Sequence, residues 1–267
     1  MKTLRTNWLT PSYLQVTLDN PPLNLFDQNM IDDFQQLANE LEANKNVKVV
    51  VFESADPDFF ISHYDILGAA QGSAETTTNG VWPDIALQFE NAPYITVGKL
   101  RGRARAAGSE VLLAMDVRFG SREKTIIAQI EVGCGLIPGA GGLERLPKLL
   151  GRSRAIEAIV GAMDFDGDTA ALYGWINRSI PDAQLDQFVE DFALRIQSFD
   201  KKTIALAKSI INERTQPINP ADLQATQEKF FEALSWPQTQ ERLGVLIAQG
   251  FQQRDFELDL ADNLLKS

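Results

Sequence analysis

The stretch QIEVGCGLIPGAGGLERL, Gln129–Leu146, is broken by glycines and a proline and ends in a helix-forming run. Such punctuation marks a loop that descends from a strand into a helix beginning near Gly142. The preceding TIIAQI supplies the strand, and Glu131 stands at the head of the loop. A glycine-rich turn before a helix can cradle phosphate, but this one lacks the Lys-Ser/Thr ending of a P-loop and the ordered glycines of a dinucleotide fingerprint. A tight structural turn is therefore expected. Cys134, within it, reads as a small packing residue rather than a nucleophile.

Toward the N-terminus, GRARAAGSEVLLAMD (Gly102–Asp116) places small residues where a backbone can approach a ligand closely, followed by a helix after Gly108 with unsatisfied first-turn amides. Glu110 falls in that turn, and two readings stay open. It can face a ligand as a base, or it can be a carboxylate favoured there by the helix dipole, typically by under about 1 kcal/mol. Further upstream, DPDFFISHYDIL (Asp56–Leu67) carries the one histidine of the chain, His63. No serine and acid accompany it in the context of a triad, so a hydrogen-bonded structural histidine is expected.

Around these stretches the chain alternates. SYLQVTLD (Ser12–Asp19) has Leu14, Val16 and Leu18 at the two-residue period of a half-buried strand. Asp27 is placed to cap a helix whose apolar positions are Met30, Ile31, Phe34, Leu37, Ala38 and Leu41. VKVVVFES then reads as a strand, Trp82 to Phe89 as a helix, and YITVGKL as a strand. This alternation favours a layered α/β body. QGSAETTTNG, residues 71–80, is small and polar and reads as a mobile surface loop of the kind that often covers a site. After INRSIPDAQL only helices follow: Leu185, Phe188, Val189, Phe192 and Ile196 on one face, then 204–211 and 223–234. A helical region of this kind packs onto the body or onto a neighbouring subunit.

Composition bounds the function. With 267 residues and 44% hydrophobic content a sizeable core is available, and a net charge of −11 argues against nucleic acid or an anionic membrane as partner. One cysteine and one histidine exclude an intrachain disulfide and a Cys- or His-based metal cage. No run approaches the roughly 18 apolar residues of a membrane span, and no signal peptide is read, so a cytoplasmic, reducing location is expected.

Three of these stretches, in this order, resemble the crotonase superfamily, the enoyl-CoA hydratase/isomerase family. Its members carry F-x-x-G-A-D-[IL], then G-x-A-x-G-G-G-x-E-L-x-x-x-C-D, then P-E-x-x-x-G-x-[IL]-P-G-x-G-G-x-x-R-L; here these are FISHYDI, GRARAAGSEVLLAMD and IEVGCGLIPGAGGLERL. The resemblance implies an α/β fold, a crotonase-like spiral of ββα repeats over 1–199 holding the active site. A helical C-terminal trimerisation region follows over 200–267. It implies an acyl-CoA thioester as substrate, no metal or other cofactor, and a homotrimer or dimer of trimers. Carried over by position, the amides of Tyr64 and Ala107 form an oxyanion hole, and Glu110 and Glu131 are the two catalytic glutamates of a hydratase. His63, Tyr64, Asp65, Ile66, Leu67, Arg105 and Ala107 are expected at the substrate.

The chain also departs from the pattern. His63-Tyr64 stands for Gly-Ala, Ile130 for the proline before the second glutamate, and Arg105 for an apolar or small residue. Arg105 is expected either to neutralise Glu110 or another acid, or to meet a polar acyl group. Lys99, Arg101 and Arg103, or a neighbouring subunit, are candidates for the phosphates of CoA. The leading expectation is hydration of a 2-enoyl-CoA. The alternatives are double-bond isomerisation and a non-catalytic acyl-CoA-binding or scaffold role.

Overall fold

The computed structural model describes residues 1–71, 81–215 and 217–266, apart from the side chains of 69–71 and 81. The expected loop at 71–80 thus lies, from residue 72 onward, outside the described residues. The strands are β1 (Leu4–Thr10), β2 (Tyr13–Leu18), β3 (Val49–Ser54), β4 (Phe59–Ile61), β5 (Ile95–Leu100), β6 (Arg103–Arg105), β7 (Val117–Ser121), β8 (Ile126–Ala128), β9 (Phe165–Asp166) and β10 (Arg178–Ile180). The helices of the body are α1 (Gln28–Ala43), α2 (Ile66–Gln71), α3 (Val81–Asn91), α4 (Ala107–Leu113), α5 (Gly142–Leu150), α6 (Arg152–Gly161), α7 (Gly167–Tyr173) and α8 (Asp182–Gln197). Then come α9 (Lys201–Arg214), α10 (Pro220–Leu234), α11 (Pro237–Gln249), α12 (Arg254–Leu258) and α13 (Leu260–Leu264).

Two sheets carry the body. The larger has the order β1-β2-β3-β5-β7-β10 and is parallel except for the β1–β2 hairpin; the smaller has the order β4-β6-β8-β9. β3 explains why its sequence reads as a continuous apolar run. Val50 and Phe52 enter one core, with α1 and α3, while Val49 and Val51 enter another, against α8. A strand covered on both faces needs no polar alternation.

The first core is built on rings. Phe34 packs against Phe26, Phe52, Trp82 and Phe89 at centroid separations of 5.6–6.2 Å. α1 starts where its cap is expected, with Asp27 Oδ1 accepting the Met30 amide at 2.8 Å. Several short strands escape a periodicity reading. β4 and β6 have three residues each, and β1, whose residues are mostly exposed, shows no apolar alternation; β8, also of three residues, falls within TIIAQI, where a strand is expected.

The C-terminal helices join the body by unequal means. α9 is fastened through a charge: Lys208 is buried and donates to the carbonyls of Phe89 (3.0 Å) and Tyr94 (2.9 Å) and to Asp116 (2.8 Å). The apolar residues expected to seat this helix face outward, with Leu206 61% and Ile211 60% exposed. Residues from α10, α11 and α13 pack with Ile130, Cys134 and Leu136 in a separate apolar cluster. Among the described residues no helix is long and apolar enough to cross a membrane.

Candidate active site

The smaller sheet aims its strand ends at one place. β6 runs into Ala106, whose backbone lies at φ 49°, ψ −120°, and α4 starts on the next residue. This reversal turns the first amides of α4 toward the end of β4. Gly108 allows the approach, since a Cβ there would overlap the carbonyl oxygen of Ile61. Glu110, one turn into the helix, is buried.

The glycine-rich turn serves this glutamate. The amides of Ala140 and Gly142 donate to one oxygen, Glu110 Oε1, at 2.8 and 2.7 Å. A Cβ on Gly142 would come within 3.0 Å of that oxygen and 2.7 Å of the terminal amide of Gln129. The turn therefore presents paired amides to an anion, as such turns do for phosphate, but the anion is a side chain of the protein itself. The segment after β8 closes the arrangement. It forms a single 3₁₀ turn, Glu131–Cys134, where a plain loop is expected from the sequence. Gln129, with its amide nitrogen turned toward the carboxylate, donates to both Glu131 oxygens at 2.9 and 3.0 Å.

Glu110 and Glu131 line one cavity of about 700 Å³, together with Ala107, Tyr64 and His63. Most of its remaining wall is apolar, with Phe26, Ile31, Ile66 and Trp82 from the body, Phe230 and Phe231 from α10, and Phe251; α10 adds one polar side chain, Gln227. The cavity is thus not enclosed by residues 1–199 alone. Burial raises the pKa of Glu110 to about 7, against the pull of its two amide bonds. Burial, and then the charge of Glu110, push Glu131 well above the usual carboxylate range. Two carboxyl groups in one apolar cavity hold one proton more readily than none. Glu110, with two amides on one oxygen, is the better place for the negative charge.

Tyr64 is set by a bridge to Phe26. The Phe26 amide donates to the His63 carbonyl (2.8 Å), and the Asp65 amide donates to the Phe26 carbonyl (3.3 Å). Parallel pairing of this kind directs the intervening Tyr64 amide to the other side of the chain.

The departures of the sequence behave differently from one another. Arg105 is fully buried, but its guanidinium turns away from the cavity: Nε and Nη2 donate to Asp164 at 2.7 and 2.6 Å, and Nη1 donates to the Glu257 carbonyl at 2.5 Å. It pairs with another acid, Asp164, as one of the expectations has it; it makes no contact with Glu110 and does not line the cavity, which corrects its placement among the substrate contacts. Asp65 and Leu67 are likewise engaged outside the cavity, both with the side chain of Gln252. The three candidate phosphate ligands are also spent within the body. Lys99 pairs with Glu53 and Asp186, Arg101 with Asp182 and Asp186, and Arg103 donates to the Leu258 carbonyl.

His63 is a cavity wall and a hydrogen-bonded residue at once. Its Nδ1 lies 2.7 Å from the Tyr64 carbonyl and its Nε2 3.1 Å from Glu257 Oε1. The second contact is out of line for a hydrogen bond and is an ion pair. Glu257 was not legible as a site residue from the sequence, because it stands in the short α12, far along the chain and without a motif. Cys134 is buried in the cavity wall, and burial pushes its thiol pKa up. No three His, Cys, Asp or Glu side chains among the described residues are placed to hold a metal ion.

The sequence profile of the enoyl-CoA hydratase/isomerase family matches residues 10–246. The chain belongs to the enoyl-CoA hydratase/isomerase family. A candidate enoyl-CoA hydratase from Streptomyces avermitilis has a solved structure that is 40% identical, with a TM-score of 0.91 over 100% of this chain and 97% of that one. The short-chain-enoyl-CoA hydratase of Clostridium acetobutylicum is 25% identical over 246 residues, covering 90% of this chain and 94% of the relative. The fatty acid oxidation complex subunit alpha of Aliivibrio fischeri is 29% identical over 197 residues, 72% of this chain; the match spans only 29% of that larger protein. The fold is therefore the α/β crotonase fold anticipated from the three motifs.

Proposed function

We propose that this protein adds water across the 2,3-double bond of a 2-enoyl-CoA thioester. The observation that carries the reading is the pair Glu110 and Glu131 in one apolar cavity, beside the first amide of α4 and the outward-turned amide of Tyr64. In the proposed reaction the thioester oxygen sits between the Ala107 and Tyr64 amides, which stabilise the negative charge that develops as water attacks C3. One such donor is worth about 2.7–4 kcal/mol of barrier. Glu110, as carboxylate, takes a proton from the attacking water, and Glu131, as acid, gives its proton to C2. Every step is a proton transfer or an addition, so the reaction as drawn calls for neither a metal nor a redox cofactor.

Replacing either glutamate by glutamine removes one half of this exchange, with an expected loss of 10²–10⁴-fold in kcat. The test is the disappearance of the conjugated enoyl-thioester absorbance under wild type, Glu110→Gln and Glu131→Gln. Collapse in both variants supports hydration; survival of double-bond migration in one points to an isomerase; no turnover by wild type with retained acyl-CoA affinity points to a binding member. The outward apolar residues of α9, and Val160 on α6 at 60% exposure, support association between subunits, for which the proposed form is a homotrimer or dimer of trimers. Sedimentation of the intact protein tests the assembly.

A further inference from the structure

The segment that carries Tyr64 is held from behind by one short piece of the C-terminal region. Phe251 stacks on the His63 ring, with centroids 4.8 Å apart and planes 9° apart. The side chain of Gln252 accepts from the Leu67 amide (2.9 Å) and donates to Asp65 (2.7 Å). Glu257 faces His63 and accepts from the Gln252 amide (2.8 Å) and from Ser62 (3.3 Å). The structure brings these contacts onto residues 62–67, immediately around the amide assigned to the oxyanion hole.

The chemistry of the His63–Glu257 contact fixes its charge. A carbonyl can only accept, so Nδ1 carries a hydrogen toward Tyr64. A bare Nε2 facing a carboxylate oxygen at 3.1 Å would set lone pair against lone pair, so the ring is an imidazolium. Burial is the largest single influence and would strip that proton; the Glu257 carboxylate and the Tyr64 carbonyl together raise the pKa of His63 against it, while Arg105 pushes the other way. On Glu257 burial again pulls upward most, and His63, the Gln252 amide and Arg105 together hold its pKa down. Arg105, anchored on Asp164, donates to the carbonyl of the same Glu257. The two side chains that depart from the family pattern, His63 and Arg105, therefore meet at one residue of α12.

We propose that His63 is a positioning residue of the oxyanion hole: braced by Glu257 and stacked on Phe251, it holds the Tyr64 carbonyl and so fixes the direction of the Tyr64 amide. The proposal rests on the hydratase reading above. The Phe26 bridge holds the peptides on both sides of Tyr64, through the His63 carbonyl and the Asp65 amide, and the Tyr64 carbonyl accepts from the Ile66 amide (3.0 Å) as well as from His63 Nδ1. His63 is the side-chain member of this set; without it the Tyr64 carbonyl turns on its remaining bonds and takes the amide off the line it must keep to the thioester oxygen. A structure that merely packs would lose stability when the pair is altered, but would not lose carbonyl polarisation.

The test uses the full chain and a saturated acyl-CoA labelled with ¹³C at the thioester carbonyl, which binds without reacting. Isotope-edited infrared spectroscopy of the bound probe reads the pull of the hole directly. His63→Gln combined with Glu257→Gln keeps shape and removes both charges, which costs far less than stripping one partner of a buried pair. The expected result is a red shift in wild type that falls by half or more in the double variant, with probe affinity within threefold and kcat on an enoyl-CoA down about tenfold or more. If the double variant does not fold, Phe251→Leu, which removes the stack and also trims the cavity wall, is read by the carbonyl shift of the bound probe and not by affinity or kcat, with a smaller loss of shift expected. A wild-type shift in the folded variant overturns the role of His63. Absence of any shift in wild type overturns the oxyanion assignment itself, and the inference with it.

Discussion

Glu110 and Gly142 are joined by a 2.7 Å hydrogen bond from a backbone amide to a buried carboxylate oxygen, and the same oxygen takes the Ala140 amide at 2.8 Å. The glycine is there because of that bond. Gly142→Ala would place a Cβ 3.0 Å from Glu110 Oε1 and 2.7 Å from the terminal amide of Gln129, forcing the turn or the carboxylate to move. We expect kcat to fall about 10–100-fold, in line with the cost of misplacing a reacting group by about 1 Å, with a near-native melting curve. Steady-state kinetics beside thermal unfolding checks this.

The raised pKa of Glu110 makes stability depend on pH with a definite sign. The native state holds its proton up to about pH 7, whereas the unfolded chain releases it near the ordinary 4.5. The native state is thus favoured at low pH and loses this contribution as pH rises from 4.5 through 7. Glu110→Gln removes the loss. Its stability relative to wild type should rise across that interval by an amount on the order of 3 kcal/mol, at about 1.4 kcal/mol per pH unit. Urea unfolding of both proteins at pH 4.5 and pH 8 measures the difference.

Arg105 is a structural cation, and Asp164 shows it best. Asp164→Asn leaves a guanidinium at zero exposure without its counter-charge, a change that costs about 3–5 kcal/mol when a buried pair is broken. Acyl-CoA affinity should stay within a factor of about two. A substrate contact at Arg105 would give the opposite pattern, a raised KM with little change in stability.

Ala106 occupies backbone space that suits glycine, at φ 49° and ψ −120°. Strain of this kind costs about 1–3 kcal/mol, and the freedom glycine adds to the unfolded chain takes back about 0.5–1. Ala106→Gly is therefore expected to raise the melting temperature by a few degrees at unchanged kcat, as read by calorimetry and kinetics.

What could be read from the sequence follows the physics of each part. The apolar strand β3, the capped helix α1 and the glycine-rich entry to α5 announce themselves, since burial, capping and turn chemistry are local. The pairing of Glu110 with the turn 30 residues on could be expected only through the resemblance to a family. The three-residue strands β4 and β6 leave no periodicity to detect, whereas β8 shows as the apolar TIIAQI. Lys208 and Glu257 are not legible for another reason: a charge on a helix surface and a charge that anchors the chain look identical until the partner, here Asp116 or His63, is brought beside it. For Arg105 the expectation of a partner acid holds, but nearness along the chain to Glu110 does not tell which acid a long side chain turns to.

The cavity draws its two carboxyl groups from α4 and from the turn after β8, but the ring walls Phe230 and Phe231 from α10, some hundred residues later. Reactivity and selectivity are thereby written in separate places. On the proposed reaction, a library confined to α10 would change the acyl group the cavity admits, longer, branched or aromatic, while Glu110, Glu131 and the amides that hold them stay untouched.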